Sequence, residues 1–277
     1  MSSGKLKEIN TKLQSLKATV KVTKAMQLMA SAKLLAAKKR LGNADNYCLA
    51  IENILDKIPL NKSDSSNFLL NNLFQKSQNG VDLIIAISPD KGFCGAVNNA
   101  IKKKFDKLAL ESKLSNFEVG LYGHKIIQHA EKNHSNLQYN KIQNLEEFLI
   151  NILSTKPIKS IKIIYTKFYS IVKNSPEIYE FKSRKTNEYQ EQNSDILIEQ
   201  NPKILMANVA KMLIKATAEM IICNSNLSEI SSRMTAMDAA TRNGNKLITS
   251  LSLKKNKLRQ AKITNELIDI VSGANAI

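Results

Sequence analysis

The sequence contains few of the residues that interrupt helices and few of those that line aromatic pockets. Among its 277 residues are only five prolines and nine glycines, tryptophan is absent, and aromatic residues make up 5%. A deep aromatic ligand pocket is therefore disfavoured, whereas long helices packed through Leu, Ile, Met and Ala are favoured. Apolar residues still reach 43%, so we expect a packed core rather than disorder.

Cysteine is also scarce. Cys48, Cys94 and Cys223 form an odd set without close spacing, which argues against a disulfide framework or a cysteine metal site and favours a reducing compartment. The opening residues have no apolar core of a signal peptide, and the longest apolar runs, such as residues 83–87, are too short to span a bilayer. We therefore expect any membrane association to go through partners or surface charge.

Acidic residues are too few to balance the basic ones. The chain has 24 Asp and Glu against 41 Lys and Arg, giving a net charge of +17. Residues 4–58, the N-terminal arm, contribute +7, and residues 204–277, the C-terminal arm, contribute +5. Such charge is typical of a chain that meets an acidic partner: a nucleic acid, an anionic lipid or an acidic protein surface. A basic face that is merely solvated is the alternative.

Both arms carry apolar residues in alternating steps of four and three. In the C-terminal arm these are Ile230, Met234, Met237, Thr241, Gly244, Ile248 and Leu251. The N-terminal arm opens in the same rhythm with Leu6, Ile9, Leu13, Leu16 and Val20. This spacing predicts two long helices that pair as an antiparallel coiled coil. After Val20 we expect the rhythm to slip, so that Val22, Met26 and Met29 take over the apolar line.

The centre of the chain changes period. Short apolar or alternating runs at 81–87, 117–122 and 160–169 predict strands, and 176–182 could pair back on the last as a hairpin. Helical stretches at 96–112, after Gly123 and at 145–153 alternate with them. The predicted fold class is α/β: a long antiparallel coiled coil plus a small central domain with a mainly parallel sheet. The predicted divisions are an N-terminal helix (1–60), a central domain (61–203) and a C-terminal helix (204–277).

No motif for catalysis stands out. Cys94 lies in a loop between a strand and a helix, where ligands often bind, but no phosphate-loop spacing is present, so the glycines there are better explained by a tight turn. His124, His129 and His134 are spaced by five residues. On one helix neighbouring histidines would point about 140° apart, which is poor geometry for a shared metal ion. We expect no catalytic residue, no cofactor and no metal.

Several motifs resemble those of the gamma subunit of the F-type ATP synthase. At the N-terminal end they are Leu6-Lys-Glu-Ile9, Lys21-Val-Thr-Lys-Ala-Met26 and Ala30-Ser-Ala-Lys33. At the C-terminal end they are residues 232–241, 256–264 and 266–273. The loop Gly92-Phe-Cys-Gly95, followed by Asn98, resembles the family's Gly-Leu-Cys-Gly turn. The likeness runs the full length and is most specific at both ends.

This resemblance implies a non-catalytic rotor: the central stalk that couples rotation of the membrane ring to ATP synthesis or hydrolysis in the alpha–beta hexamer. It implies the alpha, beta and epsilon subunits and the membrane c-ring as partners, and no nucleic acid. It also implies a peripheral place on the cytoplasmic face of the bacterial inner membrane, in a proton-translocating complex. A basic coiled-coil protein that binds nucleic acid is the alternative, although the arms have almost no aromatic residues for stacking on bases.

The resemblance also assigns contact residues. Lys24 and Met26 match the contact with an acidic loop of a beta subunit, and Arg259 and Gln260 match a pair that engages a beta subunit higher on the shaft. The apolar tip that turns in the hexamer's bearing would include Ile263, Leu267, Ile270 and Val271. Three features depart from the family pattern. Arg242 stands where an acid is usual, Lys255 stands where an aromatic residue is usual, and Leu34-Leu-Ala-Ala replaces an arginine-rich turn after Lys33.

Overall fold

The computed structural model describes residues 2–57, 68–74, 80–111, 117–134, 137–181 and 202–274. They form two compact units, which are described separately: Met1–Ser31 with Arg233–Ile277, and Ala32–Ser232. No helix in the described ranges has an apolar stretch long enough to cross a membrane. The elements in chain order are α1 (Ser2–Lys57), α2 (Phe68–Phe74), β1 (Val81–Ile87), α3 (Val97–Glu111), β2 (Phe117–Tyr122), α4 (His124–Asn133), β3 (Asn140–Ile142), α5 (Leu145–Thr155), β4 (Ile158–Phe168), β5 (Asn174–Glu180) and α6 (Pro202–Ala274).

The two long helices predicted from the arms are confirmed. α1 begins two residues before the predicted start and remains helical through Gly42. α6 begins at Pro202, a residue whose fixed φ and missing N–H suit the first turn of a helix. The division of the chain at residues 60 and 203 stays a prediction.

The second unit contains a five-stranded sheet in the order β3-β2-β1-β4-β5. β1 runs parallel to β2 and β4, β2 runs parallel to β3, and β5 pairs antiparallel with β4. The prediction of a mainly parallel sheet that ends in a hairpin is therefore confirmed. Strand β3 was not predicted, because three residues, Asn-Lys-Ile, are too short to show an alternating pattern.

The central strand β1 is buried on both faces, which explains its continuous apolar run. Leu83 and Ile85 face a cluster that includes Leu149 of α5 and Ile214 of α6. The side chains between them, such as Ile84, face a second cluster with the buried residues of α3 and α4. The helices of this unit therefore cover both faces of the sheet, as the fold class predicts.

The N-terminus of α4 is capped by the loop that follows β1. Gly123 supplies no side chain, and the Oγ atom of Ser88 accepts a hydrogen bond from the backbone N–H of Ile126 at 3.0 Å. The Oδ1 atom of Asp90 accepts another from the N–H of His124 at 2.8 Å. Because the first N–H groups of a helix lack partners within it, these two side chains tie α4 to the end of β1.

The long helices also meet within the second unit. Leu41 and Ala44 of α1 pack against Cys223 and Leu227 of α6. Burial, together with the nearby Glu219 carboxylate, raises the pKa of the Cys223 thiol to about 11, so this thiol stays protonated at neutral pH.

Candidate partner-binding surfaces of the two arms

In the first unit, α1 and α6 pair along a seam of buried and half-buried side chains. On α1 the seam positions follow one another in steps of three and four: Leu6, Ile9, Leu13, Leu16, Val20, Thr23, Gln27 and Ala30. On α6 they are Met234, Met237, Thr241, Gly244, Ile248, Leu251, Lys255, Leu258 and Lys262. The unbroken alternation on both helices confirms the predicted coiled-coil seam.

The predicted slip after Val20 is wrong. Val22 and Met29 are 58% and 59% exposed, whereas Thr23 and Gln27 continue the seam. A search for apolar side chains overlooks these positions, because a polar side chain can lie in a seam when it has a partner across it. The heptad spacing from Val20 was itself the signal that could have identified Thr23 and Gln27.

Both polar seam residues of α1 have such partners on α6. The hydroxyl oxygens of Thr23 and Thr241 lie 2.8 Å apart. The Nε2 atom of Gln27 donates to the Oδ1 atom of Asp238, also at 2.8 Å. Each threonine hydroxyl also bonds a backbone carbonyl of its own helix, Val20 for Thr23 and Met237 for Thr241. The bond between Gln27 and Asp238 therefore specifies the register more strongly, because a shift of either helix would leave the Gln27 Nε2 atom and the Asp238 Oδ1 atom without this half-buried partner.

Gly244 lies next to this polar pair and allows a close approach of the helices. A Cβ atom at this position would come within 2.4 Å of the Cγ2 atom of Val20. The sequence pattern treats glycine as a gap in an apolar line, whereas in the structure its lack of a side chain accommodates the valine.

Lys24 lies at the exposed edge of the polar pair. Its Nζ atom donates to the Oε1 atom of Gln27 at 3.0 Å, and on the other side a guanidinium nitrogen of Arg242 lies 2.8 Å from the Oδ2 atom of Asp238. Arg242 thus pairs directly with the Asp238 carboxylate, whereas Lys24 is linked to it only through the Gln27 amide. The four side chains together carry a net charge of +1. We call Lys24, Gln27, Asp238 and Arg242 the basic edge. Met26, beside it, is half-buried.

The other predicted contacts lie farther along α6. Arg259 and Gln260 are exposed and lie between the seam positions Leu258 and Lys262. Beyond Lys262 the seam ends, and every side chain whose burial is described from Ile263 to Val271 is exposed. The apolar ones include the four predicted tip residues: Ile263 at 49% exposed, Leu267 at 57%, Ile270 at 66% and Val271 at 58%.

The loop around Cys94 does not form an accessible thiol site. Cys94 is 1% exposed, and its sulfur accepts a hydrogen bond from the side-chain amide of Asn98 at 3.2 Å. The neighbouring Phe93 is 69% exposed and has a φ of 63°, so the turn directs the ring outward and the thiol inward. This arrangement agrees with a tight turn before α3 and offers no exposed nucleophile.

The histidine geometry inferred from the sequence is wrong. His134 follows the last residue of α4, so the angle between helical neighbours does not apply to it. The Nε2 atoms of His129 and His134 both lie against Asp106 of α3, at 2.8 Å and 2.7 Å from its Oδ1 atom. His124 is exposed at the opposite end of α4. Asp106 was not singled out because nothing in the spacing of α3 and α4 relates it to these histidines.

Comparison with known proteins identifies relatives over nearly the whole chain. A family model described as ATP synthase matches residues 5–277. The ATP synthase gamma chain of Clostridium perfringens is 32% identical and aligns with 100% of this chain and 99% of its own length. The ATP synthase gamma chain of Mycoplasma mobile is 29% identical, with 98% of each chain covered.

Solved structures share the fold. One is a chain of the Euglena gracilis mitochondrial ATP synthase, with a TM-score of 0.66, 15% identity and coverage of 99% of this chain and 95% of that one. Another comes from the central stalk and c-ring of the Tetrahymena thermophila mitochondrial ATP synthase, with a TM-score of 0.58 and 23% identity. It covers 79% of this chain and 99% of that one.

Proposed function

Since the chain belongs to the ATP synthase gamma chain family, we propose that it is the central-stalk rotor subunit, without an active site of its own. In this role it couples rotation of the membrane c-ring to ATP synthesis or hydrolysis in the alpha–beta hexamer. Family membership favours this role over that of a basic coiled-coil protein that binds nucleic acid.

The observation that carries the proposal is the change in α6 at Lys262. Up to that residue its seam packs on α1, and beyond it the apolar side chains of the tip have no cover within the first unit. Burying one such side chain contributes about 1.5–3 kcal/mol. An enclosing partner would therefore gain considerable affinity at the tip, and in this family that partner is the bearing formed by the hexamer.

The basic edge supports a second contact. Lys24 is exposed, its ammonium group has three donors, and the recorded hydrogen bond to Gln27 uses one of them. We place an acidic loop of a beta subunit against Lys24, with the half-buried Met26 beside it. Arg242 reinforces the positive charge of this edge, although the family usually has an acid at its position. Arg259 and Gln260, both exposed, would engage a beta subunit nearer the tip.

The epsilon subunit and the c-ring complete the set of partners. In this arrangement the chain is a peripheral component of a membrane-associated complex, on the cytoplasmic face of the bacterial inner membrane. Its attachment to the membrane goes through the c-ring, which agrees with the apolar runs being too short to span a bilayer.

Binding of the full-length chain to the alpha–beta hexamer of a related bacterial ATP synthase tests the proposal. We expect one chain per hexamer. We expect the double variant Lys24→Ala/Arg259→Ala to bind about tenfold more weakly or worse, because each change removes a cation from an interface with an acidic partner. Titration of the labelled chain into the hexamer at fixed ionic strength measures both the number of chains bound per hexamer and the dissociation constant.

A matched control is the double variant Lys17→Ala/Lys257→Ala, which removes the same charge from exposed positions on the same two helices. It should bind like the unmodified chain. An equal loss of affinity in both double variants would show that only net charge matters and would remove the assigned contacts. Failure of the unmodified chain to bind the hexamer, together with salt-sensitive binding to duplex DNA, would favour the nucleic-acid alternative.

A further inference from the structure

Two histidines and one aspartate converge on one point between α3 and α4, in the second unit. One ligand atom from each of Asp106, His129 and His134 can be chosen so that all three lie within 4.8 Å of one another. We propose that these three side chains bind a divalent transition-metal ion of the zinc type, held by two imidazole nitrogens and one carboxylate oxygen. Water would complete the coordination.

The distances require only a small adjustment. Ligand atoms of a zinc ion lie about 2.0–2.2 Å from it, so two ligands of one tetrahedral ion are about 3.3–3.6 Å apart. Both Nε2 atoms already lie within 3 Å of the Asp106 Oδ1 atom, at 2.8 Å and 2.7 Å. Side-chain rotations that move the ligand atoms by about 1 Å would bring all three pairs, now no more than 4.8 Å apart, to that spacing.

The surroundings hold the two imidazoles in place. The side chains of His129 and His134 are 13% and 16% exposed, so their rings are largely fixed by packing. The ring of the fully buried Phe105 stands edge-on to His134, with 5.7 Å between the centroids. The backbone N–H of His134 donates to the carbonyl of Ala130 at 2.8 Å, which closes the end of α4. Asp106, at 34% exposed, leaves an access path for the ion.

Asn133 supplies an outer partner for one imidazole. Its side-chain amide lies 2.8 Å from the Nδ1 atom of His129. When Nε2 binds a metal, the ring proton belongs on Nδ1. The Asn133 amide, whose Nδ2 atom faces Nδ1 in the structure, would rotate so that its oxygen accepts a hydrogen bond from the Nδ1–H group. Such outer hydrogen bonds fix the tautomer and orientation of metal-binding histidines.

The donor set selects the class of metal. Imidazole nitrogens suit Zn²⁺, Ni²⁺ and Cu²⁺, whereas Mg²⁺ and Ca²⁺ prefer oxygen ligands. Because Asp106 lies on α3 and the histidines lie on α4 and directly after it, the ion would join α3 to the end of α4 and stabilise the face of the sheet that these helices cover. The effect is structural, and it is independent of the rotor function proposed above.

Titration of the chelator-treated full-length chain with Zn²⁺ tests the site. We expect one equivalent to bind with saturation, while Mg²⁺ gives no such binding. Each of the variants Asp106→Asn, His129→Gln and His134→Gln should weaken Zn²⁺ binding tenfold or more, and Asn133→Leu about tenfold. His124→Gln is the matched control, because its histidine is exposed and lies outside the cluster, and it should bind like the unmodified chain.

A measurement on the unmodified chain covers the case in which a variant fails to fold. The chain has three histidines, so their ring signals can be followed individually by NMR. Zn²⁺ should shift the signals of His129 and His134 and leave that of His124 unchanged. The proposal is overturned if no saturable Zn²⁺ binding occurs, if all three signals shift alike, or if the ligand variants bind Zn²⁺ as well as His124→Gln does. Those results would mean that Asp106 only forms hydrogen bonds with His129 and His134 and does not bind a metal ion.

Discussion

Ending the chain at Lys262 is expected to uncouple ATP hydrolysis from proton pumping while leaving the coiled-coil seam intact. Every seam position of α6 is retained, because the last half-buried one is Lys262 itself. What is lost is the exposed apolar tip, for which the proposed function requires an enclosing bearing. Burying one apolar side chain contributes about 1.5–3 kcal/mol, and 1.4 kcal/mol is a factor of ten in an equilibrium constant. Without the tip, the end of α6 should therefore bind the hexamer's bearing far more weakly.

The measurement is ATP-driven proton pumping per ATP hydrolysed by the reconstituted complex. We expect this ratio to fall much more than the amount of chain bound, because the residues of the proposed contacts, Lys24 and Arg259, are retained. Replacing Ile263, Leu267, Ile270 and Val271 by Ser should give the same result without shortening the helix. As a control, Thr264→Ala with Asn265→Ala changes exposed polar residues of the same turns and should leave the ratio unaltered. Full coupling after the Ser replacements would contradict an apolar bearing contact.

The largest effect on stability is expected from Gly123→Ala. Gly123 has a φ of 98°, a region that residues with a side chain rarely adopt, and its Cβ would lie 2.0 Å from the carbonyl oxygen of Ser88. The strain is worth about 1–3 kcal/mol and the clash about as much again. Relief of the clash would also displace the Ser88 hydroxyl from the N–H of Ile126, which removes a cap of α4.

We therefore expect Gly123→Ala to lower the free energy of unfolding by about 3 kcal/mol or more, and the midpoint of thermal unfolding by roughly 6–12 °C. Thermal unfolding of the full-length chain, followed by circular dichroism, measures the shift. Gly92→Ala provides the comparison, because a Cβ at Gly92 would meet nothing within 4 Å. Its unfolding free energy should change by no more than about 0.5 kcal/mol. Equal midpoints for the two variants would mean that the contact with Ser88 does not constrain Gly123.

Much of the fold could be predicted because the spacing of apolar residues is regular over long stretches of the chain. The steps of three and four in the arms predicted α1 and α6, and the apolar run at 81–87 predicted β1 residue for residue. The patterns were less informative where an element is too short to show a repeat, or where hydrogen bonds between polar side chains replace apolar contacts. Strand β3 is too short for a period, and Thr23 and Gln27 occupy the seam through hydrogen bonds that link residues more than 200 positions apart.

The functional surfaces were predictable to different degrees. The residues of the proposed apolar tip could be named from the sequence. The structure adds that Ile263 and Leu267 are exposed and that the last seam position before them is Lys262. The basic edge depends on which polar groups meet across two helices, and sequence spacing cannot supply that. The cluster at Asp106 required the fold as well, because the end of α4 places His134 where a continued helix would not.

If this chain turns inside the hexamer, as we propose, its rotation can be observed directly. Val172, 88% exposed between β4 and β5, can be changed to Cys and labelled with a bead, since Cys48, Cys94 and Cys223 are buried. With the hexamer fixed to a surface, we expect ATP to drive continuous rotation of the bead in one direction. A hexamer that holds the chain and hydrolyses ATP while the bead shows only random motion would contradict this expectation.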